Sequence, residues 1–558
     1  MADRVGHRIG HRREERTCCC RPDQSITQRP WLTKPGLIAA ARHREAAIMI
    51  EAHSVHQDAQ IPSKLLYAIL ILMAAIYYLF LAMDGSFNLF KPIELAARGM
   101  TFNSMLEHLL HGEFDVDPAA IAFEGVVRDG KTYTYFGIFP ALLRLPLLPI
   151  GALAWLDVTA PYCAFAATIA LCFKLASVAL INEKLPKSRL QAIAFWAIVL
   201  SLFLGGAQIQ FLRATLYQET LEWAGAIAAA FTYCAVRGLV ARREFSTGSI
   251  AVMATLAGLG LITRVSTALG LYFATGLLIL VLAWPSTGPL GSRLRWLAYG
   301  LASRRTLVGL AILFGFVTLS GIVNYQRWGN PLTFAGDVGN YNTVIPRPDR
   351  LARQAAYGIF FNIHRLWYGL IYYFFPIWTI IRPDGQFLFS EFETRIFDGV
   401  EAPPSSFLLS DPLLLVLGGA YLMRLPQLAR EHLLDLRAAT AIMFGFLIPV
   451  FLVLTYIYMA FRYRMEFYPL FEFAAFLGFF AICVNPVQFS VLSRRGLSLV
   501  LIISAGLGIV FSHFALFLHK ISPPGNYAAG ASPANGWINY YRLCLKSVFP
   551  AMAQRLHL

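Results

Sequence analysis

The stretch 248–284 reads GSIAVMATLAGLGLITRVSTALGLYFATGLLILVLAW, and Arg264 is its single charged residue. A helix needs about 20 apolar residues to cross the hydrocarbon core of a bilayer. The stretch is too long for one such helix, and an arginine in the middle of a lipid-facing span would be costly. We therefore predict two membrane-spanning helices that meet in a tight hairpin at Arg264.

The composition of the whole chain agrees with a membrane protein. Hydrophobic residues make up 57% of the 558 residues and charged residues 14%, whereas soluble domains contain about 25% charged residues. The excess apolar surface must face lipid. The formal net charge of +15 comes from short basic clusters between apolar runs and from the N-terminal tail, which is typical of membrane proteins and argues against a nucleic-acid partner.

Other apolar runs along the chain are also long enough to cross a bilayer. They are 64–83, 160–181, 190–208, 221–239, 305–323, 438–458, 467–484 and 498–518, with a shorter one at 409–424. Together with the two helices of 248–284, they predict an all-α polytopic membrane protein with about eleven transmembrane helices. We assign this transmembrane domain to residues 61–520.

The stretch 136–156, FGIFPALLRLPLLPIGALAWL, is apolar but contains three prolines and Arg144. A proline inside a helix costs about 3 kcal/mol. If this stretch does not cross, the basic clusters after the later spans all fall on one side, which is the cytoplasmic side by the positive-inside rule. We therefore predict a re-entrant or interfacial segment, a cytoplasmic N-terminus, and two long outer loops at 84–159 and 324–408 that contain juxtamembrane helices.

The two chain ends are predicted to lie outside the transmembrane domain. Residues 1–60 form a basic segment that we expect to be a disordered cytoplasmic tail, and Met49 offers an alternative start directly before the first apolar run. Residues 521–558 are predicted to be a C-terminal tail on the outer side.

The first outer loop is acidic, and it contains the residues with the clearest chemical potential. The segment TFNSMLEHLL, 101–110, has apolar residues at helical spacing and predicts an amphipathic helix along the membrane surface.

Two carboxylates, Asp115 and Asp117, follow this segment in the first outer loop. Because alternate residues of an extended segment point the same way, both carboxylates can face one ligand. They can bind a divalent cation such as Mg²⁺ or Mn²⁺, or one can act as a base that the other orients. The alternative is a solvated turn in which Asp117 caps a helix beginning at Pro118.

Four further polar residues lie at predicted outer ends of spans. Asp84 follows the first span, Arg264 lies in the hairpin, Arg327 belongs to the turn NYQRWGNP at 324–331, and Arg462 opens RYRMEFYP. Arginine is well suited to bind phosphate. The alternative is that these residues only anchor the helix ends at the membrane interface. The sequence contains no P-loop, dinucleotide-binding glycine motif, HExxH motif or metal-spaced cysteine cluster, so no cofactor is expected beyond the divalent cation.

The ordered set of these elements resembles the GT-C superfamily of membrane glycosyltransferases. The set comprises the acidic loop with its surface helix, GKTYTYFG leading into FPALL at 130–143, GLITR at 260–264, NYxRxGNP at 324–331 and RYxxExxP at 462–469. It is most similar to bacterial relatives of the protein mannosyltransferases and aminoarabinose transferases, that is, to glycosyltransferase family 39. The resemblance covers roughly residues 60–520.

The resemblance implies a hexosyl- or pentosyltransferase of the bacterial inner membrane with a periplasmic active site. The sugar donor would be a polyprenyl-phosphate sugar whose prenyl tail lies in an apolar groove between spans, and the acceptor an envelope glycan, lipid or protein. It further implies a catalytic aspartate in the first outer loop, for which the candidates are Asp115, Asp117 and Asp84. Arg264, Arg327 and Arg462 are the implied donor-phosphate ligands. Candidates for acceptor binding and loop contacts are Glu124, His108, Tyr135, Tyr463 and Glu466.

The alternative function is that of a transporter or a lipid or oligosaccharide flippase. Such a protein is expected to show two hydropathy-related halves, broken helices and charged residues at mid-membrane. The sequence shows no repeat of this kind, and its polar residues are predicted to gather at outer helix ends. The pattern therefore favours an enzyme.

Overall fold

The computed structural model describes residues 64–83, 85, 87, 99–121, 124–212, 214–242, 244–284, 290–333, 360–376, 399–401, 403–485 and 490–520. The chain divides into the units Met1–Asp58 and Ala59–Leu558. The first unit and both predicted tails lie outside the described residues. All described residues belong to the second unit.

Eleven apolar helices run through the described residues. They are α1 Lys64–Ala82, α2 Thr159–Lys184, α3 Arg189–Leu204, α4 Leu216–Val236, α5 Thr247–Leu261, α6 Val265–Ala283, α7 Arg304–Trp328, α8 Pro412–Arg430, α9 Leu436–Thr455, α10 Tyr468–Cys483 and α11 Val491–Lys520. Ten of them are long and apolar enough to cross a membrane, where α3 and α10 are counted with the adjoining 3₁₀ helices Gly206–Leu212 and Phe461–Glu466, and α5 is a shorter apolar helix. The chain is an all-α polytopic membrane protein, as predicted, and each predicted span corresponds to one of these helices.

The predicted hairpin at Arg264 is confirmed. Helix α5 ends at Leu261, and α6 begins at Val265 after Arg264, whose backbone is extended. Helix α6 then packs backbone to backbone against α9, because a Cβ atom on Gly445 would lie 2.4 Å from the backbone nitrogen of Ala274. Small residues at such contacts let membrane helices approach closely. A side chain at position 445 would force the two helices apart.

The segment 136–156 does not form a long helix, which also agrees with the prediction. It consists of the helical turns Phe139–Leu142 and Leu145–Leu147 followed by further turns. Arg144, fully buried, anchors it to α4: its Nη2 donates to Oε2 of Glu219 at 2.7 Å, and its Nη1 donates to Oε1. Breaking such a buried pair by removing one partner typically costs about 3–5 kcal/mol. The arginine therefore locks the segment against the helix bundle.

Other described parts of the first loop are a helix and a β-hairpin. The helix Thr101–Leu110, called the loop helix below, has the predicted bounds and buries Phe102, Met105 and Leu106. Strands Val126–Arg128 and Lys131–Tyr133 pair antiparallel around the turn Asp129–Gly130. Both turn residues have positive φ, as a two-residue hairpin of type I′ requires.

The second long loop is described in part, and its described parts include the predicted juxtamembrane helices. A 3₁₀ turn, Ile363–Arg365, leads into the helix Leu366–Phe374, and a short helix, Phe407–Ser410, precedes α8. Strand Gly399–Val400 pairs parallel with Tyr458–Met459 between α9 and α10. The loop is thereby tied to the chain that enters α10.

Charged residues also lie inside the bundle, contrary to the expectation that they gather at helix ends. Lys174 of α2 forms a buried ion pair of 2.6 Å with Glu472 of α10. Glu222 of α4 is buried as well and interacts electrostatically with Lys174. The sequence did not reveal these residues as a group because a few charges leave the mean hydropathy of a span high.

Successive helices place their connections alternately at two ends of the bundle. One end, called the outer end below, contains the first loop, the α5–α6 hairpin at Arg264 and the α9–α10 connection. Basic residues lie at the opposite end: Lys187 in the α2–α3 connection, Arg305 in the first turn of α7 and Arg437 in the first turn of α9. The alternation agrees with the predicted topology.

We expect cysteine labelling to place the outer end outside the cytoplasm, because the basic residues of the opposite end favour the cytoplasmic side. His111 and Lys187 are both exposed and lie at the two ends. In intact spheroplasts, His111→Cys should react with an impermeant maleimide, and Lys187→Cys should react only after permeabilisation. The unsubstituted chain gives the background from the native cysteines. The reverse pattern would contradict the orientation.

Candidate functional site

The outer end is organised around the 3₁₀ helix Phe461–Glu466 between α9 and α10. With three residues per turn, side chains at positions i, i+2 and i+4 point in three different directions. Those positions are Arg462, Arg464 and Glu466, and each pairs with a different element. Arg462 binds Glu401 of the second long loop at 2.7 Å. Arg464 binds Asp411 beside α8 at 2.7 Å.

Glu466 holds the beginning of α6. Its fully buried carboxylate accepts a hydrogen bond from Nε of Arg264, from Oγ of Ser266 at 2.5 Å and from Oγ1 of Thr267 at 2.7 Å. Arg264 uses only Nε for this contact, and neither of its Nη groups hydrogen-bonds a described residue. Its guanidinium lies over the ring of Tyr463, and its side chain is 22% exposed. The Nη groups of Arg264 can therefore bind an anion.

A second set of contacts joins Arg462 to the first loop. Its guanidinium lies 4.6 Å from the ring centroid of Tyr217. The Tyr217 hydroxyl donates to Glu124, which also accepts from the Tyr135 hydroxyl at 2.7 Å. Burial beside Glu124 raises the pKa of Tyr135 well above its ordinary value, so its hydroxyl remains a donor. The structure thus brings Glu124, Tyr135 and Arg462 into one network.

Arg327 lies apart from this network. It is buried, and its Nη1 donates to the carbonyl oxygen of Phe136 at 2.7 Å. Its own carbonyl oxygen accepts from Arg128 at 3.0 Å. No carboxylate pairs with Arg327 within the described residues. The contacts fix the end of α7 against the first loop, and the predicted phosphate-binding role of Arg327 stays a prediction.

Asp115 and Asp117 both face His108, but through different ring nitrogens. Nδ1 lies 3.2 Å from Oδ1 of Asp115, and Nε2 lies 3.6 Å from Oδ1 of Asp117. The Asp117 side chain is 60% exposed, whereas that of Asp115 is 12% exposed. Ser104 donates to Oδ2 of Asp117 at 2.9 Å and so fixes its carboxylate. Asp84, the third predicted catalytic aspartate, lies outside the described residues.

An apolar groove of about 760 Å³ lies between α6 and α7. Its lining includes Leu269, Tyr272, Phe273, Val317, Gly321 and Pro331. Leu261 and Leu269, which also line it, belong to the two helices that meet at Arg264. The groove therefore begins near the arginine of the hairpin. It is a groove between spans of the kind predicted for a prenyl tail.

Several residues of the outer end were not predicted from the sequence. Tyr217 aligns Glu124, Glu401 neutralises Arg462, and Asp411 neutralises Arg464. The three charged residues of RYRMEFYP, which are Arg462, Arg464 and Glu466, indicate that three oppositely charged partners exist, because buried charges need counterions. The sequence contained no signal for which distant residues these are.

No protein-family model matches the chain, and no curated protein matches it. Among solved structures, it is similar to the oligosaccharyltransferase of Archaeoglobus fulgidus in its apo form, at 12% identity and a TM-score of 0.40, over 86% of this chain and 64% of that one. The same archaeal enzyme, AglB, in complex with an inhibitory peptide and a dolichol-phosphate, gives 13% identity and a TM-score of 0.38, over 85% and 59% of the two chains. The chain thus spans less than two thirds of those proteins.

Proposed function

We propose that the protein is an integral-membrane glycosyltransferase that moves a sugar from a polyprenyl-phosphate donor to an envelope glycan, lipid or protein. The observation that carries the proposal is the apolar groove between α6 and α7, which begins near Arg264, an arginine whose two Nη groups hydrogen-bond no described residue. A polyprenyl-phosphate sugar combines one long apolar chain with one phosphate. The site offers matching chemistry for both parts, and we place it at the periplasmic face of a bacterial inner membrane.

The donor would bind with its prenyl chain in the groove and its phosphate at Arg264. Bonds from a guanidinium to a phosphate are charge-assisted and strengthen as negative charge develops on the leaving group. Glu466 accepts a hydrogen bond from Nε of Arg264 alone. This contact orients the guanidinium and leaves its Nη groups available to donate to the phosphate. Arg462, whose Nη1 binds Glu401, is the second arginine of the same network through Tyr463.

The acceptor would be activated by a carboxylate of the first loop. Asp117 is exposed, is oriented by Ser104, and has no lysine or arginine within 4.0 Å among the described residues. Its carboxylate would take the proton of the acceptor hydroxyl as that oxygen attacks the anomeric carbon. The bond from this carbon to the phosphate oxygen breaks, and polyprenyl phosphate leaves with inversion at the carbon. Asp115 and Asp84 are the alternative bases, and Glu124 would orient a hydroxyl.

A transporter or flippase is the second candidate function, and one observation favours it. The buried group of Lys174, Glu222 and Glu472 lies within spans, where ionisable residues often mark a transport path. A transporter would move its substrate unchanged. Release of free polyprenyl phosphate together with a new glycosidic bond distinguishes the transferase.

Asp117→Asn should abolish transfer, because an amide cannot accept the acceptor proton, and loss of a general base costs about 10²–10⁴-fold in rate. The matched control is Asp129→Asn, which removes a charge from the same loop at a left-handed turn position that asparagine tolerates. Mass spectrometry of envelope glycans and lipids should show the product in the control strain and not in the Asp117→Asn strain. Full product from Asp117→Asn, Asp115→Asn and Asp84→Asn chains would contradict a loop base.

Gly321→Leu should raise the KM for the donor about tenfold, because the new side chain fills space that about two methylenes of the prenyl chain would occupy, at roughly 0.8 kcal/mol each. A Cβ atom on Gly321 lies 3.5 Å from Pro331 at the groove, whereas one on Gly315 of the same helix has nothing within 4 Å. Gly315→Leu is therefore the matched control. Equal kinetics of both variants in nanodiscs with a polyprenyl-phosphate sugar would count against the groove.

A further inference from the structure

Three metal-binding side chain types converge at the end of the loop helix. Nδ1 of His108 lies 3.2 Å from Oδ1 of Asp115 and 3.6 Å from Oε2 of Glu113. One donor atom from each residue lies within 4.8 Å of the others. Imidazole and two carboxylates form a donor set that proteins use for divalent transition metals.

The backbone explains why these residues meet. The loop helix ends in a left-handed glycine, Gly112, with a φ of +79°. Its N–H binds the carbonyl oxygen of Leu109 at 3.1 Å, and the N–H of Glu113 binds that of His108 at 2.9 Å. These two bonds are those of a Schellman motif. The motif turns the chain back, so that Glu113 and Asp115 return to the face of the helix that carries His108.

Two of the donor atoms lack a hydrogen bond. Nδ1 of His108 and Oδ1 of Asp115 are buried and have no hydrogen-bond partner among the described residues, and Asp115 as a whole is 8% exposed. Buried polar atoms without a partner call for a specific explanation, such as an ion. The two atoms face each other across 3.2 Å. A cation between or beside them would satisfy both.

The ammonium group of Lys131 is the positive charge beside Glu113 and Asp115 in this structure. Its nitrogen lies 3.0 Å from Oε1 of Glu113 and 3.6 Å from Oδ1 of Asp115. The Lys131 side chain is 47% exposed and belongs to a hairpin strand, so it can turn away into solvent when another cation binds.

The second nitrogen of His108 is also placed as a metal site requires. A metal-bound histidine almost always donates its other ring N–H to a carboxylate, a carbonyl or water, which orients the ring. Here Nε2 faces Oδ1 of Asp117 at 3.6 Å, and Ser104 holds Asp117 in place. The two ring nitrogens of His108 thus face different carboxylates, Asp115 through Nδ1 and Asp117 through Nε2.

We propose that His108, Glu113 and Asp115 bind a divalent transition-metal ion, with Zn²⁺ preferred over Mn²⁺ and both over Mg²⁺. The imidazole nitrogen sets this order, since Mg²⁺ strongly prefers oxygen ligands. Lys131 is the cation that the metal displaces, and Asp117 orients His108 without binding the metal. The inference rests on the loop alone and does not depend on the proposed sugar transfer.

The test is metal binding by the full chain, purified in detergent. The adjacent Cys18, Cys19 and Cys20 are replaced by serine in every chain, because their thiols could bind Zn²⁺ as well. Competition with a chromophoric chelator measures Zn²⁺ affinity, elemental analysis gives the stoichiometry, and electron paramagnetic resonance follows Mn²⁺. We expect one site. His108→Ala or Asp115→Asn should lose most of the affinity, and Asp117→Asn about 10–100-fold of it, as outer-shell changes typically do.

Two matched variants keep the result decisive. His111→Ala removes an exposed histidine three residues away whose Nδ1 contacts only the Glu107 carbonyl oxygen among the described residues, and it should bind as the parent does. Lys131→Met should bind Zn²⁺ at least severalfold more tightly, because the competing ammonium is gone. Equal affinity of the His108→Ala, Lys131→Met and parent chains would overturn the proposal. Metal binding by a chain that transfers no sugar would contradict only the proposed function.

Discussion

The buried contact between Arg264 and Glu466 is the constraint on which the outer end depends. Glu466 is fully buried and accepts three hydrogen bonds from the first residues around α6, so losing its arginine would leave an uncompensated buried charge, at a typical cost of about 3–5 kcal/mol. The same 3₁₀ helix directs Arg462 and Arg464 to two other elements. Fixing this one turn therefore fixes the α5–α6 hairpin, the second long loop and the beginning of α8 relative to one another.

That constraint also reconciles two roles for Arg264. Since Glu466 engages Nε alone, the arginine can stabilise the fold and still keep its Nη groups available for an anion. Arg462 is similar, because its contact with Glu401 uses Nη1 alone among the described residues. Arg327 differs from both: its hydrogen bonds go to a backbone oxygen and a thioether sulfur, which makes it a link between α7 and the first loop.

Most of the fold could be predicted from the sequence because hydropathy reports local exposure to lipid. The hairpin at Arg264, the loop helix 101–110 and the non-crossing segment 136–156 were all predicted, and all follow from short-range patterns. Partner choice is long-range, and it could not be predicted. Arg144 and Glu219 are 75 residues apart, and Arg264 and Glu466 are 202 apart. Both members of the second pair were predicted as separate site residues, and nothing local indicated that they bind each other.

We propose that a lipid phosphate binds in the groove between α6 and α7, and photo-crosslinking tests this most directly. A polyprenyl phosphate with a photoreactive group in mid-chain should label peptides containing Leu269, Phe273 or Val317. Unmodified polyprenyl phosphate should compete for this labelling far better than the corresponding polyprenol if Arg264 binds the phosphate as proposed. Labelling confined to other helices, or equal competition by the alcohol, would contradict the account.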